Sequence, residues 1–159
     1  MYRRTVIILT AISALGLSSL PGSGFAQQGA DVDGVKAASK AFYEALAVID
    51  NGEAMHKVWA QRPYVTFVGP FSKSIVVGAD ALKKYWPEAN SRFAERKILL
   101  MNQQIHVVGN LAWEMGNEIG EPKFKDGKVG KSDNFVTGIY EKIDGRWLKV
   151  SHHAQPRPQ

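Results

Sequence analysis

The sequence predicts an α+β domain, with helices gathered against one antiparallel sheet, and three observations carry that prediction. Apolar residues recur at helical spacing over Val35–Ile49 and again over Leu82–Phe93. From Lys97 onward the chain reads as strands. Two tight-turn signals, Gly109-Asn110 and Asp144-Gly145, join those strands as hairpins. Helices followed by a run of hairpins pack on one face of an antiparallel sheet. A chain of 159 residues makes one such domain with a proper core, and not two.

The first 26 residues stand apart from it. "MYRR" is a short basic head, "TVIILTAISALGLSSL" an apolar stretch and "PGSGFAQQ" a small-residue exit. That is the three-part pattern of a secretory signal peptide. Gly24 and Ala26 suit positions −3 and −1, so cleavage is expected after Ala26. The expected product is a periplasmic or secreted domain over 27–156 with a short tail, 157–159. No other segment is apolar enough to span a bilayer, so no membrane contact is expected after cleavage.

Cleavage removes Arg3 and Arg4 and no acid, which takes the formal charge from +5 to +3. The remaining Lys and Arg are scattered, whereas nucleic-acid binding needs a concentrated phosphate-facing patch. No nucleic-acid partner is expected. The chain has no cysteine, which excludes thiol catalysis, Cys-type zinc sites and a lipidated cysteine at the cleavage point. An exported domain without disulfides relies on its core alone.

In order, residues 27–32 read as a tail, and Asp33 as the cap of a first helix. Val35, Ala38, Phe42, Ala45, Leu46 and Ile49 give that helix one apolar stripe. "DNG" (50–52) ends it, with Asn51 or Gly52 able to turn left-handed. A second helix runs from Glu53 to about Ala60 and stops before Pro63. "YVTFVGPF" (64–71) and "SIVVG" (74–78) read as strands. "GADALKKYWPEANSRF" reads as a third helix that Pro87 should kink or split. Four strands follow: Lys97–Val108, Leu111–Ile119, Ser132–Ile143 and Arg146–His153. The stretch 120–131 between the middle two reads as a solvated loop.

This order and several local phrases resemble the SnoaL-like, or nuclear-transport-factor-2-like (NTF2-like), superfamily. The phrases are "FYEALAVIDNGEAMHKVWA", "VTFVGPF", "VVGADALKKYW", "HVVGNLAWEMG" and the closing "IDGRWLKVSHHAQP". They cover residues 31 to 156. The resemblance implies a conical barrel, a strongly curved and mostly antiparallel sheet wrapped around a helix, with an apolar pocket at its open end. It also implies a homodimer built through the sheet and a small apolar ligand or substrate, with two functions open: cofactor-free proton transfer or hydration and dehydration, or a non-catalytic ligand-binding or dimeric assembly domain. Ketosteroid isomerase members place a carboxylate base on the first strand; here that strand holds Phe67 to Gly69 and no acid. Their oxyanion-hole tyrosine falls near Tyr43 and its late-strand acid near Thr137. The dehydratase members carry a pocket His–Asp pair, for which a terminal histidine with Asp133 is the candidate here.

Alternation assigns faces to the candidates. On Leu111–Ile119 the apolar odd positions, with Trp113 and Asn117 among them, are expected inward, and Glu114 and Glu118 outward. An inward Asn117 would bind a ligand or satisfy backbone at a bulge. Ser132–Ile143 is open: one phase turns Asp133 and Thr137 inward, the other Asn134 and Tyr140. Trp59 and Trp86 are favoured as pocket walls over Trp113 and Trp147, and Tyr43 and Tyr64 as hydroxyls that orient a ligand. His56 and His106 read as surface residues, and no spacing suggests a metal site. For the final pair, strict alternation from Leu148 and Val150 favours His152, whereas the family phrase favours His153, in phase with Trp147. A bulge near Ser151 would reconcile the two.

Overall fold

The computed structural model describes residues 22–158. Residues 1–21, most of the expected signal peptide, lie outside them. Among the described residues no helix is long and apolar enough to cross a membrane.

Helix α1 spans Gly22–Ala47, so it begins well before Asp33 and absorbs the stretch 27–32 expected as a tail. Asp33 is an exposed residue within it, paired with Lys36 at 3.5 Å, and caps nothing. The helix continues because Asp31 anchors its early turns to the sheet. Its carboxylate accepts hydrogen bonds from Lys142 Nζ at 2.6 Å and Trp147 Nε1 at 3.3 Å. The expected stripe is buried at Val35, Phe42 and Ala45.

Helix α2 spans Glu53–Val58, slightly shorter than expected. Gly52 before it takes φ 88°, and the Asp50 carboxylate accepts the backbone N–H groups of Gly52 and Ala54. Strand β1 is Thr66–Val68 and β2 is Val76–Val77. Helix α3, Ala79–Ser91, runs through Pro87 without splitting. The proline removes one helical hydrogen bond, but Leu82, Trp86 and Ala89 on the same helix are buried in the core. A Cβ on Gly52 would stand 2.8 Å from Trp86 Cβ and 3.4 Å from Pro87 Cδ, so this glycine serves both the turn and the helix contact.

Two short strands were not expected. Strand β3, Phe93–Glu95, pairs with β6, Lys123–Phe124, inside the stretch read as a loop. Stacked Phe93 and Phe124 rings, 5.0 Å apart, and a 2.8 Å Lys123–Glu95 ion pair hold this ribbon. The long strands are β4 (Ile98–Val108), β5 (Leu111–Gly120), β7 (Ser132–Ile143) and β8 (Arg146–Pro156). They form the expected antiparallel meander, and β1 joins β8 in parallel, giving the order β2-β1-β8-β7-β5-β4. The architecture is α+β, a strongly curved, mostly antiparallel sheet with helices.

The phase of β5 is the reverse of the expectation. Ala112, Glu114 and Glu118 are buried inside, while Leu111, Trp113, Met115 and Ile119 are exposed outside. On β7 the even phase is inward: Asn134, Val136 and Tyr140 are buried, Phe135 and Ile139 exposed. The inner space is filled by aromatic side chains of α1 and by polar groups that pair with one another there. On β5 the outer surface is therefore the apolar one.

Candidate functional site

The final strand carries a bulge, and it decides between the two histidines. Ile139 pairs with Ser151 and Tyr140 with Lys149, which leaves Val150 without a partner on β7. The extra residue shifts the phase, so Trp147 and Lys149 before it share the inner face with His152 and Ala154 after it. His153 is exposed. His152 pairs in register with Phe67 on β1, and their rings stack at 5.4 Å and 14°. Phe42 of α1 packs 4.9 Å away against the same imidazole.

Beside it stands Glu118, its Oε1 3.4 Å from His152 Nε2. Tyr43 donates to the same oxygen at 3.1 Å. Asn134 donates to Oε2 at 3.4 Å, and to Ser132 Oγ at 2.9 Å. Burial raises the Glu118 carboxyl above its ordinary range, and the Tyr43 hydrogen bond offsets part of that rise. Burial holds the His152 imidazole well below its ordinary value, and the Lys149 charge adds to the effect. The imidazole is therefore neutral at physiological pH. Nε2 faces Glu118 Oε1, and Nδ1 is buried with no partner among the described residues.

His152 and Glu118 line a cavity of about 450 Å³ with apolar walls that include Phe42, Phe67 and Trp86. The β3–β6 ribbon contributes Phe93 and Phe124 to it. The arrangement is a neutral imidazole, held by two aromatic rings beside a carboxylate, on the wall of an apolar chamber. Those are the parts of general acid–base chemistry. Among the described residues no three His, Asp or Glu side chains converge as a metal site.

A sequence-family profile described as a SnoaL-like domain matches residues 35–155. The chain belongs to the SnoaL-like family. Comparison with curated proteins gives no match. Solved structures share the fold. A candidate dehydratase of the NTF2-like family from Streptomyces avermitilis superposes with a TM-score of 0.73 at 20% identity, covering 82% of this chain and 99% of that one. An NTF2-like superfamily protein from Salmonella enterica gives 0.70 at 16% identity, covering 86% and 94%. A candidate ketosteroid isomerase from Parabacteroides distasonis gives 0.58 at 19% identity, covering 77% and 85%.

This SnoaL-like cavity collects only some of the residues expected from sequence. Phe67, Trp86, Asn134 and His152 line it. Trp59 is buried behind the wall, 6.1 Å from Phe42 and 6.3 Å from Phe67. Tyr43 reaches the site through Glu118; it also lines a more open recess of about 400 Å³ between α1 and β4. The others lie elsewhere. Asp133, expected beside a histidine, faces away from the interior and pairs with Arg157 at 2.9 Å, because the even phase of β7 is inward. Thr137 shares that outward phase. Asn117 is on the outer face and accepts a hydrogen bond from Asn102 at the β4 bulge. Trp113 stacks on His106 outside, at 5.1 Å. Tyr64 is exposed and donates to Glu141.

Sequence reasoning missed Glu118 and Phe42. The available signal was the spacing of Glu114 and Glu118, four apart on a strand and so on one face. The apolar alternate positions masked it.

A second buried cluster lies deeper on the same inner face. Glu114 accepts a short hydrogen bond from Tyr140, and others from Lys149 Nζ at 3.2 Å and Gln103 at 2.8 Å. Burial alone would raise Glu114, but Lys149 and these hydrogen bonds outweigh it and hold the carboxyl below its ordinary value. Lys149 Nζ also sits 4.0 Å from the Phe42 ring centre and 4.5 Å from that of Tyr140. Gly138, between Glu114 and His152 in the register, leaves room for the pair. A Cβ there would stand 2.7 Å from Glu114 Oε1 and 2.8 Å from Lys149 Nζ.

Proposed function

We propose that this SnoaL-like protein binds a small, largely apolar molecule in the cavity and catalyses cofactor-free proton transfer, or addition and elimination of water, on it. The single observation that supports this reading most is the buried Glu118–His152 pair on the cavity wall. In this reading the His152–Glu118 pair accepts the substrate proton. Glu118 stabilises the imidazolium that forms and, being held above the ordinary carboxylate range, readily shares the proton. Phe42 and Phe67 keep the ring in place. The carboxylate comes from β5, whereas β1 carries Phe67 at the place the isomerase pattern reserves for a base.

The test is exchange of the α-protons of an enolisable bicyclic ketone, 2-tetralone, in D₂O, followed by NMR with no cofactor added. The expected result is protein-dependent exchange that Glu118→Gln reduces by about a hundredfold or more, the usual range for one acid–base group. Equal exchange by wild type and variant removes the catalytic reading and leaves a binding protein.

In the same proposal the mature protein is exported, and it works as a homodimer. Leu111, Trp113, Met115, Phe135 and Ile139 form an exposed apolar surface across β5 and β7. An apolar surface of this kind on one side of a sheet suits a second copy of the chain.

A further inference from the structure

The cavity holds a charge that the proton-transfer reading does not use. Arg96 is 7% exposed and lines the same chamber as His152 and Glu118. Buried arginines are normally matched by an acid. Among the described residues no carboxylate lies within ion-pair distance of this one. Its partners are neutral: Nε donates to the Leu46 carbonyl at 2.7 Å and Nη2 to Asn90 Oδ1 at 2.6 Å. Asn90 is fixed in turn by donating to the Asp50 carbonyl at 3.0 Å. The ring of Phe93, 4.9 Å from the guanidinium carbon, and that of Trp86, at 5.9 Å, flank the group.

A guanidinium has five N–H donors in a rigid fork. Two are spent on Leu46 and Asn90, and three remain. Burial lowers Arg96 to about 10, so it stays charged at neutral pH. The other charged groups on the cavity lining are Lys73, Arg92, Lys131 and Glu118. Three of those four are cations, and the lone acid is engaged by Tyr43 and Asn134. The chamber thus joins apolar walls to a fixed, oriented and uncompensated positive group.

We propose that the natural occupant is an apolar or aromatic molecule bearing a carboxylate, and that Arg96 binds that carboxylate through its free donors while the reacting carbon lies toward His152. The rings of Trp86 and Phe67 lie between the two ends, 4.9 Å from one another, and form the wall for the apolar body. This proposal rests on the reading of the cavity as a small-molecule site.

The test compares 2-naphthoate with its neutral counterpart 2-naphthalenemethanol, using tryptophan fluorescence and calorimetry on the mature protein. Wild type is expected to bind the carboxylate about tenfold tighter or more, the effect of one charge-assisted hydrogen-bonding group. Arg96→Gln is expected to lose that preference while binding the neutral probe within about twofold of wild type. Arg96→Lys, which keeps the charge and loses the fork, is expected to fall between them and serves if the Gln variant does not fold. If wild type binds both probes equally, or Arg96→Gln keeps the preference, the carboxylate proposal is overturned and the small-molecule reading stands. If wild type binds neither probe, both are overturned.

Discussion

Glu118 Oε1 and His152 Nε2 lie 3.4 Å apart although their strands are not neighbours. Strand β7 runs between β5 and β8, so the two side chains meet across it on the concave face. The curvature of the sheet brings them together, and the Val150 bulge turns the histidine to the inside. A straight β8 in phase with Trp147 would present His153 there instead.

The depressed imidazole makes stability depend on pH with a definite sign. Below the ordinary value of 6.5 the unfolded chain takes up a proton at His152 that the folded chain refuses. The contribution is complete above about 6.5 and is lost as pH falls toward the depressed folded value. Glu118 acts oppositely: its folded value lies above 4.5, so acid favours the folded form at this group. The difference between wild type and His152→Gln isolates the histidine. On moving from pH 7.5 to 5.5, wild type should lose about 1.4 kcal/mol more than the variant, the cost of one proton per pH unit below the unfolded value. Urea melts at the two pH values measure this, and parallel losses would refute it.

Removing the partner of a buried lysine is a severe change. Glu114→Gln leaves Lys149, whose ammonium burial already disfavours, fully buried and without its carboxylate, which should cost about 3–5 kcal/mol. The double variant Glu114→Gln with Lys149→Met should recover much of that loss, because the pair is then absent rather than broken. Chemical denaturation of the three proteins gives the comparison.

Gly138 has a normal-looking place in β7, yet a methyl group does not fit beside the ion pair. Gly138→Ala should destabilise the fold by about 1–3 kcal/mol, the usual cost of overpacking. It should also disturb the inner face next to His152, its register partner. A lowered thermal midpoint together with shifted His152 ring resonances is the expected result.

The outer sheet makes a separate prediction. Met115 and Ile139 are exposed there on adjacent strands, two residues from in-register pairing. Replacing Ile139 with Glu puts a charge in the centre of the apolar surface. Sedimentation should show a dimer for wild type and a monomer for Ile139→Glu, with the fold retained.

Much of the fold was legible because its signals are local. Gly52, Gly109-Asn110 and Asp144-Gly145 each mark a turn by residue type alone, and positive φ is found at Gly52, Gly109, Asp144 and Gly145. The helix stripe with Phe42 depends only on spacing. The site was less legible because alternation shows two faces without saying which is inward. On β5 the apolar residues point to the outside and the acids to the inside, where Tyr43, Tyr140 and Lys149 receive them. Those partners come from α1, β7 and β8, distant in sequence, so no local rule joins them. The conflict of phases on β8 does point to a bulge near Ser151, and it stands one residue earlier, at Val150; its place depends on the register with β7, which turns His152 inward. Arg96 read as one more scattered cation until Asn90 and the Leu46 carbonyl showed how it is held.

The most direct test of the central claim, that Glu118 and His152 act as one proton-transfer unit, is a double-mutant cycle on ketone α-exchange. Glu118→Gln, His152→Gln and the double variant are compared with wild type at pH 7.5 under saturating 2-tetralone, after circular dichroism has shown that all four are folded. Each single change is expected to remove nearly the whole rate, and the double variant to be no slower than either, as for groups that work together. Losses that multiply independently, or a wild-type rate no higher than that of the double variant, would contradict it.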